Sequence, residues 1–364
     1  MEPIRVGIVG VGNCASSLVQ GLDYFRKLRN EAVGLPFDSL GGYTPRDIEV
    51  SCAFDVDSRK VGRDISEAIF CEPNCTEKFW PQVSSKDVAV MRGKTLDGVA
   101  SNMATAPAER AFRVSDQAEP SEDEVVRYIQ KSATHVIINF LPVGSQEASE
   151  FYAQCSLRAG AAFINAIPVF LAGNEVWREK FRASGLPILG DDFKAQIGAT
   201  IVQRAISRLF DMRGAKLDRS YQLNVGGNTD FLNMMNAERL TSKRHSKTEA
   251  VQSVLNERLK SEDIRIGPSD YVPWLKDRKT AHMRLEGRVF GGSPVNIEVR
   301  LDVEDSPNAA AMALTAIRCA RIAMDRNLSG SIDEVNGYLF KSPPKTCLDE
   351  DAYERLLAFT EGTS

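Results

Sequence analysis

Three groups of residues in this sequence have types and spacings that could do chemistry: a glycine turn, an acidic residue after the next strand, and a scatter of lysines. The turn is Gly7-Ile8-Val9-Gly10-Val11-Gly12-Asn13-Cys14-Ala15. An apolar run (Ile4, Val6, Ile8, Val9) enters it and a helix-like stretch, Ala15 to Leu28, leaves it. In a strand–turn–helix, glycines let backbone approach a pyrophosphate at the helix N-terminus; Gly10 and Gly12 fill the first two fingerprint places and Ala15 the third. A tight turn in another parallel-sheet fold would look the same. A second strand, Ile48 to Phe54, ends at Asp55. A carboxylate there takes both ribose hydroxyls and repels a 2′-phosphate, so NAD is expected over NADP. From Gly12 to Asp55 is 43 residues, against about 20 in the usual pattern. The excess lies in Arg29 to Arg46, rich in turn residues (Gly34, Pro36, Gly41, Gly42, Pro45), and reads as a surface excursion. Asp57 is the rival carboxylate, with helix N-terminal charge as its simpler role.

The second cluster is Leu240-Thr241-Ser242-Lys243-Arg244-His245-Ser246-Lys247-Thr248-Glu249. Ser246 and Glu249 have capping-box spacing, which predicts a helix beginning at Lys247. Lys243, Arg244 and Lys247 would then crowd the positive end of that helix, a costly arrangement unless an anion or solvent screens it. A phosphate there would meet backbone N–H groups and ammonium groups together; a solvated basic turn fits the spacing equally well. Lys279 closes Asp277-Arg278-Lys279 just before a strand, and Lys341 lies in the apolar, proline-broken Tyr338-Leu339-Phe340-Lys341-Ser342-Pro343-Pro344. A lysine desolvated beside other cations has a lowered pKa and can move protons near neutrality; taken singly, each is also accounted for as a surface lysine. Asp191, Asp192 and Asp305 stand at predicted strand ends or helix starts, where capping is the plain alternative.

The elements that must carry these residues alternate through the first half. Ser121 with Glu124 reads as a capping box for a helix to Lys131. Val136 to Leu141 is a buried strand, Pro142-Val143-Gly144-Ser145 its carboxyl-end loop, and Gly160 the cap of the following helix. A strand (Ala162 to Asn165), a helix (Asn174 to Ala183) and a strand (Leu186 to Leu189) follow. Strands separated by helices imply a parallel sheet, with ligands at the strands' carboxyl ends. Asp55, Leu141–Ser145, Asn165–Pro168 and Gly190-Asp191-Asp192 are therefore expected in one crevice. The texture then changes: a helix from Ile197 to Met212, a strand Tyr221–Val225, and a strict period-two alternation of Val295, Ile297, Val299, Leu301 and Val303 with polar residues. That alternation marks an antiparallel strand, joined through Gly291-Gly292 to Met283–Phe290. Ser306-Pro307 reads as an N-cap and N1 proline opening a helix to about Arg326. The expected fold class is α/β: a Rossmann-type, mostly parallel sheet domain over residues 1–194, completed by 305–364, with an inserted α+β domain of largely antiparallel sheet over 195–304.

The 364 residues suit about two domains. Forty-five Lys and Arg against forty-nine Asp and Glu leave a net charge of −4, which argues against a polyanion-binding role, so no nucleic-acid partner is expected. No apolar run nears the roughly 20 residues of a membrane span, and a cytoplasmic protein without a membrane partner is expected. Seven cysteines show no metal-ligand rhythm, and no metal site is expected.

The chain resembles the myo-inositol-1-phosphate synthase (inositol-3-phosphate synthase) family in its shorter actinobacterial and archaeal-like form. The resemblance covers nearly the whole length. It is carried by Ile8 through Gly21, Ala53-Phe54-Asp55-Val56-Asp57, Leu141-Pro142-Val143-Gly144-Ser145, Gly190-Asp191-Asp192, Leu223-Asn224-Val225-Gly226-Gly227-Asn228, Ser242-Lys243 through Ser246-Lys247, Asp277-Arg278-Lys279, Asp305-Ser306-Pro307-Asn308 and Leu339-Phe340-Lys341-Ser342-Pro343. The resemblance implies an isomerase of inositol and phospholipid biosynthesis, a homotetramer, that turns D-glucose 6-phosphate into an inositol phosphate. NAD oxidises C5, an enolate forms at C6, C6 attacks the C1 aldehyde, and the hydride returns to C5. It implies Lys243, Lys279 and Lys341 with Asp192 and Asp305 as the catalytic set. Lys247, Gln196 and Gly198 would hold the substrate phosphate. Gly10, Gly12, Asn13, Cys14, Ala15, Asp55, Leu141, Pro142, Val143, Gly144, Asp191 and Ser306 would line NAD. The family pattern carries serine where Ala195 stands, so one hydroxyl donor toward phosphate is missing here. The rival readings are a related cyclase or epimerase on another sugar phosphate, an ordinary NAD-linked dehydrogenase, and a non-catalytic NAD-responsive binding protein.

Overall fold

The alternating strands and helices of the first half close into one parallel sheet. Residues 2–236 and 241–362 are described in the computed structural model, the side chains of Asn30 and of residues 241–244 excepted. Strands β1 (Ile4–Val9), β2 (Ile48–Asp55), β3 (Met91–Arg92), β4 (Val136–Asn139), β5 (Ala162–Asn165), β6 (Pro187–Leu189) and β11 (Gly330–Ser331) lie in the order β11-β6-β5-β4-β1-β2-β3, every pair parallel. The order reverses between β1 and β4, which opens a crevice at their carboxyl ends.

Successive strand residues point to opposite faces, so each strand feeds two cores. On one face Ile4, Val6 and Ile8 of β1 and Val136 and Ile138 of β4 pack against α1 (Asn13–Leu28) and α9 (Asp305–Asp325), with α10 (Asp333–Leu339) and α11 (Asp349–Glu361) beside them. On the other, Val9, Ile137, Phe163 and Ile188 meet α3 (Glu122–Lys131), α4 (Gln146–Ala159) and α5 (Glu175–Ala183). The Ser121–Glu124 capping box and the left-handed Gly160 cap form as the sequence predicts. The segment 29–46 runs over the surface as expected, with Val33 and Gly34 exposed, and is pinned at a few points. Leu40 and Tyr43 are buried, Tyr43 donates to Asp325 at 2.6 Å, and the fully buried Arg318 of α9 donates to the carbonyls of Phe37 and Asp38. The segment's many turns let it wrap α9 rather than leave the surface.

The second sheet runs β10-β9-β7-β8: β7 (Lys216–Gly226), β8 (Ile264–Tyr271), β9 (Arg278–Arg288) and β10 (Pro294–Glu304). β9 pairs antiparallel with β10 and β7, whereas β7 and β8 are parallel. The β9–β10 hairpin turns at Gly291 and Gly292, both at positive φ. α6 (Ala199–Met212) and α8 (Thr241–Gln252) cover one face. β7 is longer than the five residues expected because its inward positions Ser220, Gln222 and Asn224 are polar, which hides its alternation.

Two helix starts differ from expectation. α8 begins at Thr241, so Ser246 lies inside it and caps nothing; its hydroxyl donates to Asp192 instead. α9 begins at Asp305 with Glu304 as its N-cap residue, so Ser306 and Pro307 sit within its first turn. Ser306 donates its hydroxyl to Asp277 rather than capping the helix. A proline in the first turn is harmless, because those N–H groups have no intrahelical partner.

A buried ionic knot ties the two sheets' helices together. Lys194, after β6, donates to Asp349 at 3.0 Å and to the Gly337 carbonyl at 2.6 Å. Arg204 of α6 donates to the other Asp349 oxygen at 2.7 Å. Burial, then the nearby Arg204, lowers the Lys194 ammonium to about 8. Burial works against the Asp349 charge, yet Lys194 and Arg204 outweigh it and hold that carboxyl below the usual range. Asp349→Ala strands two buried cations. The expected loss of stability in urea unfolding is roughly 3 kcal/mol, the low end for a broken buried pair, because Asp349 keeps 35% of its side chain exposed.

Candidate active site

The crevice at the strand ends continues into a cleft of about 1370 Å3, open to solvent at its mouth, between the two sheets. On its first wall is the glycine turn. Gly10 has φ +88°, and a Cβ there would lie 2.8 Å from the Phe140 carbonyl oxygen, so only glycine lets the turn pass the β4 loop. Gly12 meets nothing within 4 Å of its missing Cβ and leaves the N-terminus of α1 without a side-chain cap. Gly12, Asn13 and Cys14 line the cleft, and Ala15 is buried behind them in α1. Burial, then Asp277 and Asp305, pushes the Cys14 thiol up to about 12, so it is a protonated side chain and not a nucleophile. Across the turn, Leu141, Pro142 and Val143 line the cleft while Gly144, at φ +87°, bends the loop away.

Asp55 and Asp57 divide cleanly. Asp55 accepts the Val11 and Asp57 amides at 2.7 and 2.8 Å, and both its oxygens retain lone pairs. Asp57 is fully buried and saturated by the Arg59 guanidinium at 2.8 and 2.6 Å and by the Arg59 and Arg113 amides. It is a structural anchor. Asp55 itself sits at the end of β2 and does not line the cleft.

The second wall forms where residues 190–194 pair with 339–342. Backbone bonds run between Asp191 and Ser342 in both directions, from Lys341 N to Asp192 O at 2.8 Å and from Lys194 N to Leu339 O at 2.8 Å. The Phe193 and Phe340 rings stack at 4.8 Å behind them. Asp192 holds φ +63°, a left-handed conformation uncommon outside glycine. It accepts Lys341 Nζ at 2.7 Å on one oxygen and Ser246 Oγ at 2.8 Å on the other. Asp191 turns the opposite way. It is buried, accepts from Asn165 at 2.7 Å and from the Ala172 and Gly173 amides, and does not line the cleft. Burial pushes it up to about 7 against the pull of those hydrogen bonds.

The third wall is built by β9, α9 and α6. Lys279 of β9 forms an ion pair with Asp305 at the start of α9. Lys247 lines the cleft from the middle of α8, which removes the helix-start reason first given for it. The helix N-terminus that does border the cleft is that of α6: Gly198, without a side-chain cap, followed by Ala199 and Thr200. Ala195 lines the cleft beside them, whereas Gln196 does not; its amide donates to the Asn308 carbonyl at 3.0 Å. Thus Lys247, Lys279, Lys341, Asp192 and Asp305 meet in one space. The side chain of Lys243 lies outside the described residues.

Several residues here were not singled out from the sequence. Asp277 is buried and accepts from Asn228 at 2.8 Å and from Ser306 Oγ at 3.0 Å. Asn308 clamps the 195–198 loop, accepting the Ile197 amide at 2.8 Å. Gln222, Asn224, Asn228 and Thr229 line the cleft. Gln222 and Asn224 show as polar residues at inward strand positions, and Asn224, Asn228, Asp277 and Asn308 stand in segments that carry the family resemblance. Among the described residues no group of three His, Cys, Asp or Glu could hold a metal.

A family model for myo-inositol-1-phosphate synthase matches residues 198–306. The inositol-3-phosphate synthase of Mycolicibacterium smegmatis is 52% identical over 365 residues, covering 99% of this chain and 98% of that protein. That of Mycobacterium tuberculosis strain H37Rv is 49% identical over 361 residues, 99% of this chain and 96% of the relative. The chain belongs to the myo-inositol-1-phosphate synthase family. Among solved structures, that of Ari2 superposes with a TM-score of 0.78 at 31% identity, over 99% of this chain and all of that one. The family resemblance and the fold therefore coincide along the whole chain.

The two carboxylates after β2 give a contrasting pair of variants. Asp55→Asn, which keeps an acceptor for the buried amides of Val11 and Asp57, is expected to weaken dinucleotide binding by roughly 1.5–3 kcal/mol, the worth of charge-assisted hydrogen bonds, with little change in Tm. Asp57→Ala is expected to lower Tm instead, since it strands the Arg59 guanidinium. Calorimetric titration alongside thermal melting separates the two, and the opposite pattern would make Asp57 the ribose ligand.

Proposed function

We propose that this chain is an inositol-3-phosphate synthase that isomerises D-glucose 6-phosphate to a myo-inositol phosphate with NAD as resident cofactor. The observation that carries this is the convergence of Lys247, Lys279, Lys341, Asp192 and Asp305 in the cleft that the glycine turn opens into. The turn fits a dinucleotide. Gly10 leaves room for no side chain, Gly12 opens an uncapped helix N-terminus to the cleft, and Asp55 stands at the end of the adjacent strand. Gly12, Asn13 and Cys14 would hold the pyrophosphate, Asp55 the ribose, and Leu141 to Val143 and Ser306 the remainder. Bound NAD supplies the oxidation at C5 and the reduction that later reverses it.

The rest is the work of this chain's side chains. A ketone at C5 acidifies the C6 protons, and closure onto C1 places negative charge on two oxygens in turn. Preorganised ammonium groups are what such charge needs. Lys279, with Lys243, is assigned to the C5 oxygen and the C6 proton, and Lys341 to the C1 oxygen. Lys279 and Lys341 each have a carboxylate against them, Asp305 and Asp192, which aims the side chain. Lys247 and the α6 N-terminus are assigned to the phosphate, where a helix dipole and free N–H groups favour a dianion. We read the chain as a cytoplasmic homotetramer, with the half-exposed Tyr221 and Leu223 on the uncovered face of the second sheet as interface candidates.

Incubation with glucose 6-phosphate and NAD should yield inositol phosphate by NMR without net absorbance at 340 nm. Stoichiometric NADH would instead mark a simple dehydrogenase. Ala195 keeps a second reading open. It lines the cleft without a hydroxyl, so a cyclised product from another sugar phosphate, and none from glucose 6-phosphate, would move the assignment to a sister reaction. Alanine at Lys279 or Lys341 should lower kcat by about a hundredfold or more, and alanine at Lys247 should chiefly raise KM.

A further inference from the structure

Asp277 stands one layer behind the cleft, between its two working ends. It lies two residues before Lys279, and its carbonyl accepts the Asp305 amide at 3.1 Å. Its carboxylate accepts both the amide and the hydroxyl of Ser306, at 3.1 and 3.0 Å, and the Asn228 side chain at 2.8 Å; Thr76 is a further donor. All of these donors are neutral, and among the described residues the carboxylate is in no ion pair. Ser306 in turn accepts from Cys14 at 3.8 Å, in the first turn of α1. On one side, then, Asp277 touches the shell of the turn assigned to the pyrophosphate. On the other it braces Asp305, the partner of Lys279 in the reaction cleft.

This inference rests on the cofactor reading given above. A dinucleotide with its pyrophosphate at α1 must reach the substrate lysines with its reacting end, and that path runs past Ser306 and Asp305. The oxidised nicotinamide ring carries a positive charge and the reduced ring none. Asp305 and Glu304, at the start of α9, act on Asp277; the wider surroundings hold Asp230 on α7 (Thr229–Met234) and the cations Lys276 and Arg278. Lys279 is matched by Asp305, and the Cys14 and Cys75 thiols, each pushed up to about 12 chiefly by burial, stay neutral.

We propose that Asp277 is a positioning residue that seats Ser306 and Asp305 at the reacting end of the cofactor, and that its buried negative charge favours the oxidised, cationic nicotinamide over the reduced, neutral one. Such a bias suits a reaction that must give its hydride back.

The test is the ratio Kd(NAD+)/Kd(NADH), measured by calorimetry without substrate on the wild type and on Asp277→Asn. The ratio is expected to rise by about tenfold in the variant, the size of a unit charge acting over roughly 10 Å at an effective dielectric near 20. A variant that weakens both forms equally would show a packing role alone and overturn the proposal. If the variant binds neither form, a pH series on the wild type decides. Burial, then Asp305, pushes Asp277 up to about 6, so the preference for NAD+ is present above that pH and lost as pH falls through it. A ratio that stays flat between about pH 5 and 8 would overturn the proposal. A wild type that binds neither dinucleotide fails the cofactor reading itself, whereas binding with an unchanged ratio fails only the role of Asp277.

Discussion

The cleft depends on one short backbone pairing, that of residues 191–194 with 339–342. It joins positions about 150 residues apart in the chain, and it sets Asp192 in the left-handed conformation that turns its carboxylate into the cleft. The same pairing delivers Lys341 to that carboxylate and lays Phe340 on Phe193. The bonds are backbone to backbone, so they hold whatever side chains the strip carries, and the strip is thereby free to carry charged ones. Asp191 and Asp192 show the division: one carboxylate points inside, bracing the Ala172–Gly173 loop, and its neighbour faces the cleft.

A second regularity is that cations here are held by carboxylates and not left to solvent. Lys341 has Asp192, Lys279 has Asp305, and Lys194 has Asp349. The first two pairs open to the cleft; in the third, Lys194 is buried and Asp349, at the start of α11, is partly exposed. Burial disfavours the Lys194 ammonium and lowers it to about 8 even with its partner present. Pairing limits the cost of burying such a charge. Asp191 and Asp277 differ, as buried carboxylates with neutral donors, and Asp277 sits where a cationic ring is expected.

Local signals were legible where one element makes its own case. The glycine turn, the Ser121 cap, the Gly160 cap and the alternation of β10 all read directly from neighbouring residues. Signals failed where a side chain is claimed from a distance. Ser246 and Ser306 have the spacing of helix caps, but Asp192 and Asp277 take their hydroxyls, and both helices start earlier. The turn-rich segment 29–46 does run over the surface, but nothing local shows that Arg318, some 280 residues on, will bind its carbonyls. The same holds within the site. Lysine types and their family pattern marked the cleft, but Asp277, Gln222 and Asn308 act through partners that only the fold brings near. The parallel β7–β8 pairing escaped for a related reason, since the inward residues of β7 are polar.

The placement of α9 has a consequence for how the molecule comes into being. This helix is buried nearly all round, lying against β1, β4, β5 and β6 and alongside α1, yet its residues follow the entire second sheet in the chain. During synthesis the first sheet emerges with one apolar face only partly covered, by α1, and it stays so until residues 305–325 have been made. Lys341 arrives later still. The order in which the ribosome releases the parts is therefore not the order in which they assemble: the first strands made are finished by nearly the last helix. A chain halted anywhere in the second sheet would present its glycine turn without the layer that supports it, exposing a sheet face prone to aggregation.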